Sequence, residues 1–461
     1  MLRNVALLLL ACALLPAPAA AHLKLQSSSP AQGDTVRTSL TEVRLTFTQA
    51  VEPRYTTITL LDNAGNALEL GTLVPIGEGK TTQFVYRLTH PVVSGDFVVQ
   101  WKTAGTDGHV VSGSFDFTVD VPNAVRVGAA ASTPTVATDS SDDPHGHHQP
   151  ASEIEPLYNP ESTVWVLTRW LNFIGLVLMV GVIAFRFAVL QRSERALAGD
   201  VLLAADDRTR RIALVAALLA FGANLVRLWL QSGALHGTER MWDPALLRAL
   251  VFTTGWGKAW LAQSVATIGF AVATRLRTAN PLESWIAAAV FAIAAASTPA
   301  FAGHAAAVEQ MAAVPIFNDA VHLIAASAWL GTLAVLLFAG IPAVVRASHQ
   351  PFTDAATLVR TFSPLALFAA AVAIFTGTVS AFVHIKAIPE LWTTPYGKTL
   401  SIKLLVVMLT ATTGAYNWKV VSPRLGSSEA TLHVRRSALA EIVIAATIIA
   451  VTAVLVALPL H

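Results

Sequence analysis

Eight apolar segments follow one another near residues 163–190, 211–231, 256–274, 284–302, 319–340, 363–384, 398–416 and 438–458. Each approaches or exceeds the roughly 20 residues that an α-helix needs to cross a bilayer. In lipid every backbone N–H and C=O must be paired internally, so such segments fold as a bundle of spanning helices. The second segment is interrupted by Arg227 and the seventh by Lys403. Only 13% of the residues are charged and 54% are hydrophobic, whereas a soluble domain carries roughly a quarter charged residues. The same numbers exclude a disordered chain, a coiled coil and collagen. A net charge of +2 gives no reason to expect a nucleic-acid partner.

The first 160 residues read differently. Arg3, an apolar stretch over residues 5–15 and Ala19-Ala20-Ala21 have the order of a secretory signal peptide, with cleavage expected after Ala21. The one cysteine, Cys12, lies inside that segment. Leu9-Leu10-Ala11 before Cys12 also allows a lipoprotein reading, at the cost of an unusually short apolar region. With cleavage after Ala21 the mature chain has no disulfide and no thiolate metal site, and it begins at His22. Residues 43–48 alternate Val43, Leu45 and Phe47 with Arg44, Thr46 and Thr48, and similar runs recur at 57–61, 83–88, 97–102 and 114–119. Turn-forming clusters separate them, which predicts an all-β sandwich over residues 22–121. Residues 122–160 lose all periodicity and hold His145, His147 and His148 among Asp, Pro and Gly; they read as a flexible linker to an all-α membrane domain over 161–461.

Basic residues set the orientation. Loops after the odd-numbered segments carry Arg192, Arg195, Arg208, Arg210 and Arg211, then Arg275 and Arg277, Arg346 and Arg360, and Lys419, Arg424, Arg435 and Arg436. The opposite loops are poorer. Signal peptide and charge bias agree that the head is exported and both chain ends lie outside. Ten of the eleven tryptophans fall in the membrane half, many near segment ends, where an interfacial belt places them.

On this topology His236, His304, His322 and His384 fall at the outer ends of segments or in outer loops. Asp319 and His322 are three residues apart and share a helix face. A short outer loop lets His304 approach His322. Imidazoles and a carboxylate at one membrane depth suit a metal ion, and equally they suit helix ends that meet lipid headgroups. In the head, His22 offers its α-amine and ring together, and Asp107-Gly108-His109 puts a carboxylate and an imidazole two residues apart. Nitrogen-rich ligation with one carboxylate suits Cu(II); an ordinary turn explains Asp107-Gly108-His109 as well.

The stretch from His22 to Ala31, the strand at 43–48 and the run from Asp107 to Gly113 resemble the CopC family of exported copper-binding proteins. The membrane half resembles the CopD family in Gly303-His304-Ala305, in Asp319-x-x-His322 with Trp329-Leu330-Gly331, in Gly397-x-x-Leu400-x-x-Lys403 and in Gly414-x-x-Asn417. The order matches CopC–CopD fusions. The resemblance implies a Greek-key, cupredoxin-like sandwich holding Cu(II) on His22, Asp107 and His109. Family members with a Met-rich Cu(I) site exist, but residues 22–121 hold no methionine. It further implies an eight-helix bundle that carries copper across the inner membrane, with His304 and His322 as ligands at the outer entrance. Only Met179 and Met408 lie within the spans, so no methionine ladder crosses the bilayer.

The expected function is copper homeostasis or resistance, without catalysis, by a multi-pass protein of the bacterial inner membrane. Its partners are copper ions, lipid and exported copper chaperones. No G-x-x-x-x-G-K-[ST] stretch is present, so transport is passive, ion-coupled or driven by copper buffering inside. Two alternatives carry different chemistry. A haem- or quinone-linked redox protein needs facing histidines at mid-depth, whereas these cluster at one surface. A copper monooxygenase needs an open position where Asp107 supplies a ligand.

Overall fold

A computed structural model of the chain describes residues 23–122, 162–276, 281–301, 313–416, 419 and 428–458, apart from 52, 69, 77–80, 106–109 and 386. It divides into two compact units. Of the described residues, one unit takes those within 162–232 and 242–458, and the other takes those within 23–122 and 233–241.

The head is a β-sandwich. Strands β1 (Leu25–Ser29), β3 (Leu40–Val51), β6 (Thr81–Val92) and β5 (Leu70–Ile76) form one sheet in that order. Strands β2 (Thr35–Val36), β8 (Val110–Asp120), β7 (Ser94–Ala104) and β4 (Thr57–Asp62) form the other. All five runs of period-two sequence lie in strands, and the alternation sets which side is inside. Val43, Leu45 and Phe47 are buried with Phe84 across the β3–β6 pair, where Leu45 faces Phe84. From the second sheet Leu60, Val99, Trp101, Phe115 and Phe117 complete the core. Trp101 packs edge-on against Phe47, with ring centroids 5.3 Å apart. Across from it, a Cβ on Gly113 would lie 2.6 Å from the Trp101 ring, so this strand position has room only for glycine.

The membrane unit is helical: α1 (Thr163–Ser193), α2 (Gly199–His236), α3 (Pro244–Thr253), α4 (Gly255–Arg275), α5 (Pro281–Phe301), α6 (Val314–Ala347), α7 (Pro351–His384), α8 (Glu390–Thr393), α9 (Pro395–Tyr416) and α10 (Ser428–Leu455). Among the described residues six of these, α1, α2, α5, α6, α7 and α9, are long and apolar enough to cross a membrane. The two other expected segments are α4, which is more polar, and α10, whose apolar part is the shorter stretch Ala440–Leu455. Large apolar side chains such as Leu218, Val265, Phe368, Phe382 and Leu405 lie exposed on the helices, as lipid contact requires. At the end expected to be cytoplasmic, Arg210 bonds Asp206 at 2.7 Å and Arg186 lies 3.7 Å from the same carboxylate.

The helices repeat. Both α1 and α6 widen into a π turn, at Phe185–Leu190 and Leu336–Gly340. Each is followed by a helix of more than thirty residues that ends in histidine, then by a short helix, a threonine-capped helix and a last span. Thr254 Oγ1 accepts the Gly257 N–H at 2.8 Å, and Thr394 Oγ1 accepts the Gly397 N–H at 3.0 Å. A Cβ on Gly257 would strike the Leu250 carbonyl, and one on Gly397 the Glu390 carbonyl, each residue 140 positions from its counterpart. Gly181 and Gly331, 150 apart, meet each other where α1 crosses α6: a Cβ on either would strike the other's backbone. Like residues meeting like is the mark of a two-fold relation. Each half so related holds four long helices and one short one, disposed about this pseudo-two-fold axis.

Candidate metal centre in the membrane unit

Asn318, Asp319 and His322 occupy one side of α6, facing a stripe of α7 formed by Ala373, Thr376 and Ser380. These spacings of three and four residues are those that align side chains along a helix. His322 Nδ1 lies 3.0 Å from the Ala373 carbonyl oxygen and 3.0 Å from Thr376 Oγ1. A carbonyl only accepts, and the Thr376 hydroxyl donates to the Val372 carbonyl at 2.8 Å. Nδ1 must therefore carry the proton shared with these two oxygens. In the neutral ring this leaves the lone pair on Nε2, the atom that can ligate a metal. Gly377 gives the ring its place, since a Cβ there would stand 3.0 Å from His322 Cε1.

One turn away Ser380 relays between two α6 side chains. Its hydroxyl accepts from Asn318 Nδ2 at 2.8 Å and donates to Asp319 Oδ1 at 3.0 Å. His384 repeats the pattern of His322, with Nδ1 2.6 Å from the Ser380 carbonyl oxygen. Its ring lies 5.9 Å from that of Tyr396 on α9. Lys403 is also on α9, seven residues or about two helical turns beyond Tyr396. The side chains of Asp319, His322, His384 and Lys403 are all half-buried.

The sequence expectation that Asp319 and His322 share a face agrees with this geometry. His304, the expected partner of His322, lies outside the described residues, as does Asn417. Among the described residues no three His, Cys, Asp or Glu side chains come together as a metal cage. Thr376, Gly377, Ser380 and Asn318 were not singled out. Thr376, Ser380 and His384 recur every four residues and so mark one face of α7, but what that face meets is not written in the sequence.

In the head, His22, Asp107 and His109 lie outside the described residues, as do His145, His147 and His148. The chain flanking the first three is described. Leu23 is buried in the sandwich core. Lys24 exchanges two hydrogen bonds with Thr48, both 2.9 Å, one to its side chain and one from its amide. Ala104 pairs with Val110, and Gly105 bridges Val51. Thr48 and Val51 belong to the same end of β3, so the residues beside both expected ligand groups are fixed there.

Three parts of the chain match known families: a CopC domain over residues 25–120, the N-terminal domain of copper resistance protein D-like proteins over 160–314, and copper resistance protein D over 356–455. The copper transport protein CutJ of Bacillus subtilis is 27% identical over 414 residues, covering 87% of this chain and 69% of that protein. The inner membrane protein YebZ of Escherichia coli is 27% identical over 270 residues, covering 58% of this chain and 87% of its own. Among solved structures, CopC from Methylosinus trichosporium is 29% identical, with 23% of this chain and 99% of that one aligned at a TM-score of 0.20. PcoC from Escherichia coli is 22% identical, with 22% and 100% aligned at a TM-score of 0.20.

Proposed function

Because this chain is a CopC–CopD fusion, a copper-handling multi-pass membrane protein, we propose that it captures Cu(II) outside the cytoplasmic membrane and passes copper inward. The head is the capturing part. Its α-amine and ring at His22, with Asp107 and His109, form the Cu(II) site, and residues 22–121 hold no methionine to favour Cu(I). What supports this placement is Leu23: a buried residue directly after His22 holds the new amino terminus against the sandwich. Domain limits follow from the same reading: signal peptide 1–21, head 22–121, linker 122–160 and membrane domain 161–461. The head stands in the periplasm or outside the membrane, where exported chaperones can load it.

The membrane part receives the ion at its outer end on His322, with His304 from the adjoining loop and Asp319 supplying negative charge. The observation that carries this reading is the fixed tautomer of His322, which keeps the Nε2 lone pair available beside a carboxylate inside a helix bundle. The protein's action is then transport, with no bond of a substrate made or broken. Cellular copper in a deletion strain, compared with wild type at limiting external copper, tests it. Less copper in the deletion strain is expected; equal or greater copper would overturn inward passage.

A further inference from the structure

The repeat places a second polar cluster in the first half of the membrane unit, at positions equivalent to the proposed copper site. The 150-residue step that superposes Gly181 on Gly331 matches Arg169 to Asp319 and Asn172 to His322. The 140-residue step that relates Gly257 to Gly397 matches Trp256 to Tyr396 and Gln263 to Lys403. Where the second half has a carboxylate, an imidazole and an ammonium, the first has a guanidinium and two amides. A copper ligand has been replaced by a neutral amide, and the sign of the charged position is reversed.

The cluster is built and enclosed. Gln263 Nε2 donates to Asn172 Oδ1 at 2.7 Å, while Gln263 Oε1 accepts from Thr298 Oγ1 at 3.2 Å. Asn224 Nδ2 donates to Ser264 Oγ at 2.9 Å, and the Trp260 indole N–H holds the Asn224 carbonyl at 2.7 Å. Asn172, Asn224 and Gln263 are at most 2% exposed. Into this cluster α2 inserts Arg227, nine residues or about 13 Å of helix before the end of α2 at His236. Its guanidinium touches only neutral groups: Asn224 Oδ1 at 3.4 Å, Gln263 Oε1 at 3.5 Å and the face of Trp256 at 5.9 Å. No carboxylate of the described residues pairs with it. An ionisable side chain inside the membrane is a functional-site candidate by default, and this one has only uncharged partners among the described residues.

We propose that the Arg227 cluster is a binding site for a small monovalent anion of the chloride class, held by the guanidinium. The bundle then carries an anion site and a cation site on opposite sides of its pseudo-axis. The inference stands on Arg227 and does not require that copper binds at His322.

The test uses the full-length protein in detergent, exchanged into gluconate buffer and titrated with chloride, reading the line width of the 35Cl resonance with iodide as competitor. Excess broadening that declines as added chloride fills the site, and that iodide abolishes, is expected for the wild type. R227M removes the guanidinium, and N224D places a carboxylate beside it as a built-in counter-ion. Both should weaken chloride binding at least about tenfold, since a hydrogen bond to a charged group is lost or satisfied internally. H322A should bind chloride as the wild type does. If R227M does not fold, N224D alone decides. Excess broadening that does not decline with added chloride, or that is unchanged in N224D, would overturn the site.

Discussion

Replacing Thr376 with Val tests whether the orientation of His322 matters to copper. The two side chains have nearly the same shape, so the buried packing around Thr376 is kept. What is lost is one of the two oxygens that hold His322 Nδ1–H, at 3.0 Å, while the Ala373 carbonyl at 3.0 Å remains. A single such bond is worth about 0.5–1.5 kcal/mol net, which corresponds to about a 2- to 13-fold loss of affinity for a metal on Nε2. Partners of metal-ligating histidines commonly reach 10- to 100-fold, and the surviving carbonyl keeps this case near the lower range. Copper uptake by cells carrying T376V should therefore show a half-saturating concentration raised several-fold, at equal membrane abundance. T376S, which keeps the hydroxyl, should stay close to wild type. The reasoning fails if T376V and wild type coincide, or if T376S is as impaired as T376V.

Three further outcomes follow from other parts of the molecule. In G377A the new Cβ would press on His322 Cε1 at 3.0 Å, so uptake should fall by a factor comparable to T376V; an unchanged uptake curve would show that the ring is free to move. One extra residue before His22 removes the α-amine from the Cu(II) chelate. Titration of the head should show a large loss of affinity, and in the native head tighter binding from pH 6 to 8, since the amine must lose a proton whose ordinary pKa is about 7.7–8.0. The backbone N–H of Asn66, with its side chain and the amides of Ala64 and Gly65, holds the Asp62 carboxyl below its ordinary value. A carboxyl lowered on folding stabilises the head above the ordinary carboxylate range near pH 4 and loses that contribution as pH falls through the lowered value. Urea midpoints of the head in D62N should thus fall less between pH 5 and 3 than those of the wild type.

The head's inner strands were legible because period two and burial on one side coincide at Val43, Leu45 and Phe47. The edge strands β1, β2 and β5 were not. β2 has two residues, and edge positions such as Ser27 and Val74 lie exposed, so no alternation marks them. The spanning helices were readable from hydropathy alone, and the Asp319–His322 face from its spacing. The support from Thr376 and Ser380 is a tertiary fact, visible only once α6 and α7 pack together. The internal repeat was hidden because its halves share backbone contacts more than chemistry. Gly257 and Gly397 meet the same carbonyl position, yet Arg169 stands where Asp319 does, with opposite charge.

The central claim is that copper enters through the outer end of the bundle on His322. Purified protein in liposomes, with Cu added outside and a copper indicator trapped within, measures this directly. Wild-type protein should carry copper to the indicator. H322A, reconstituted at equal density and with a head that still titrates normally with Cu(II), should reduce the rate close to that of empty liposomes. A rate in H322A equal to that of wild type would contradict it.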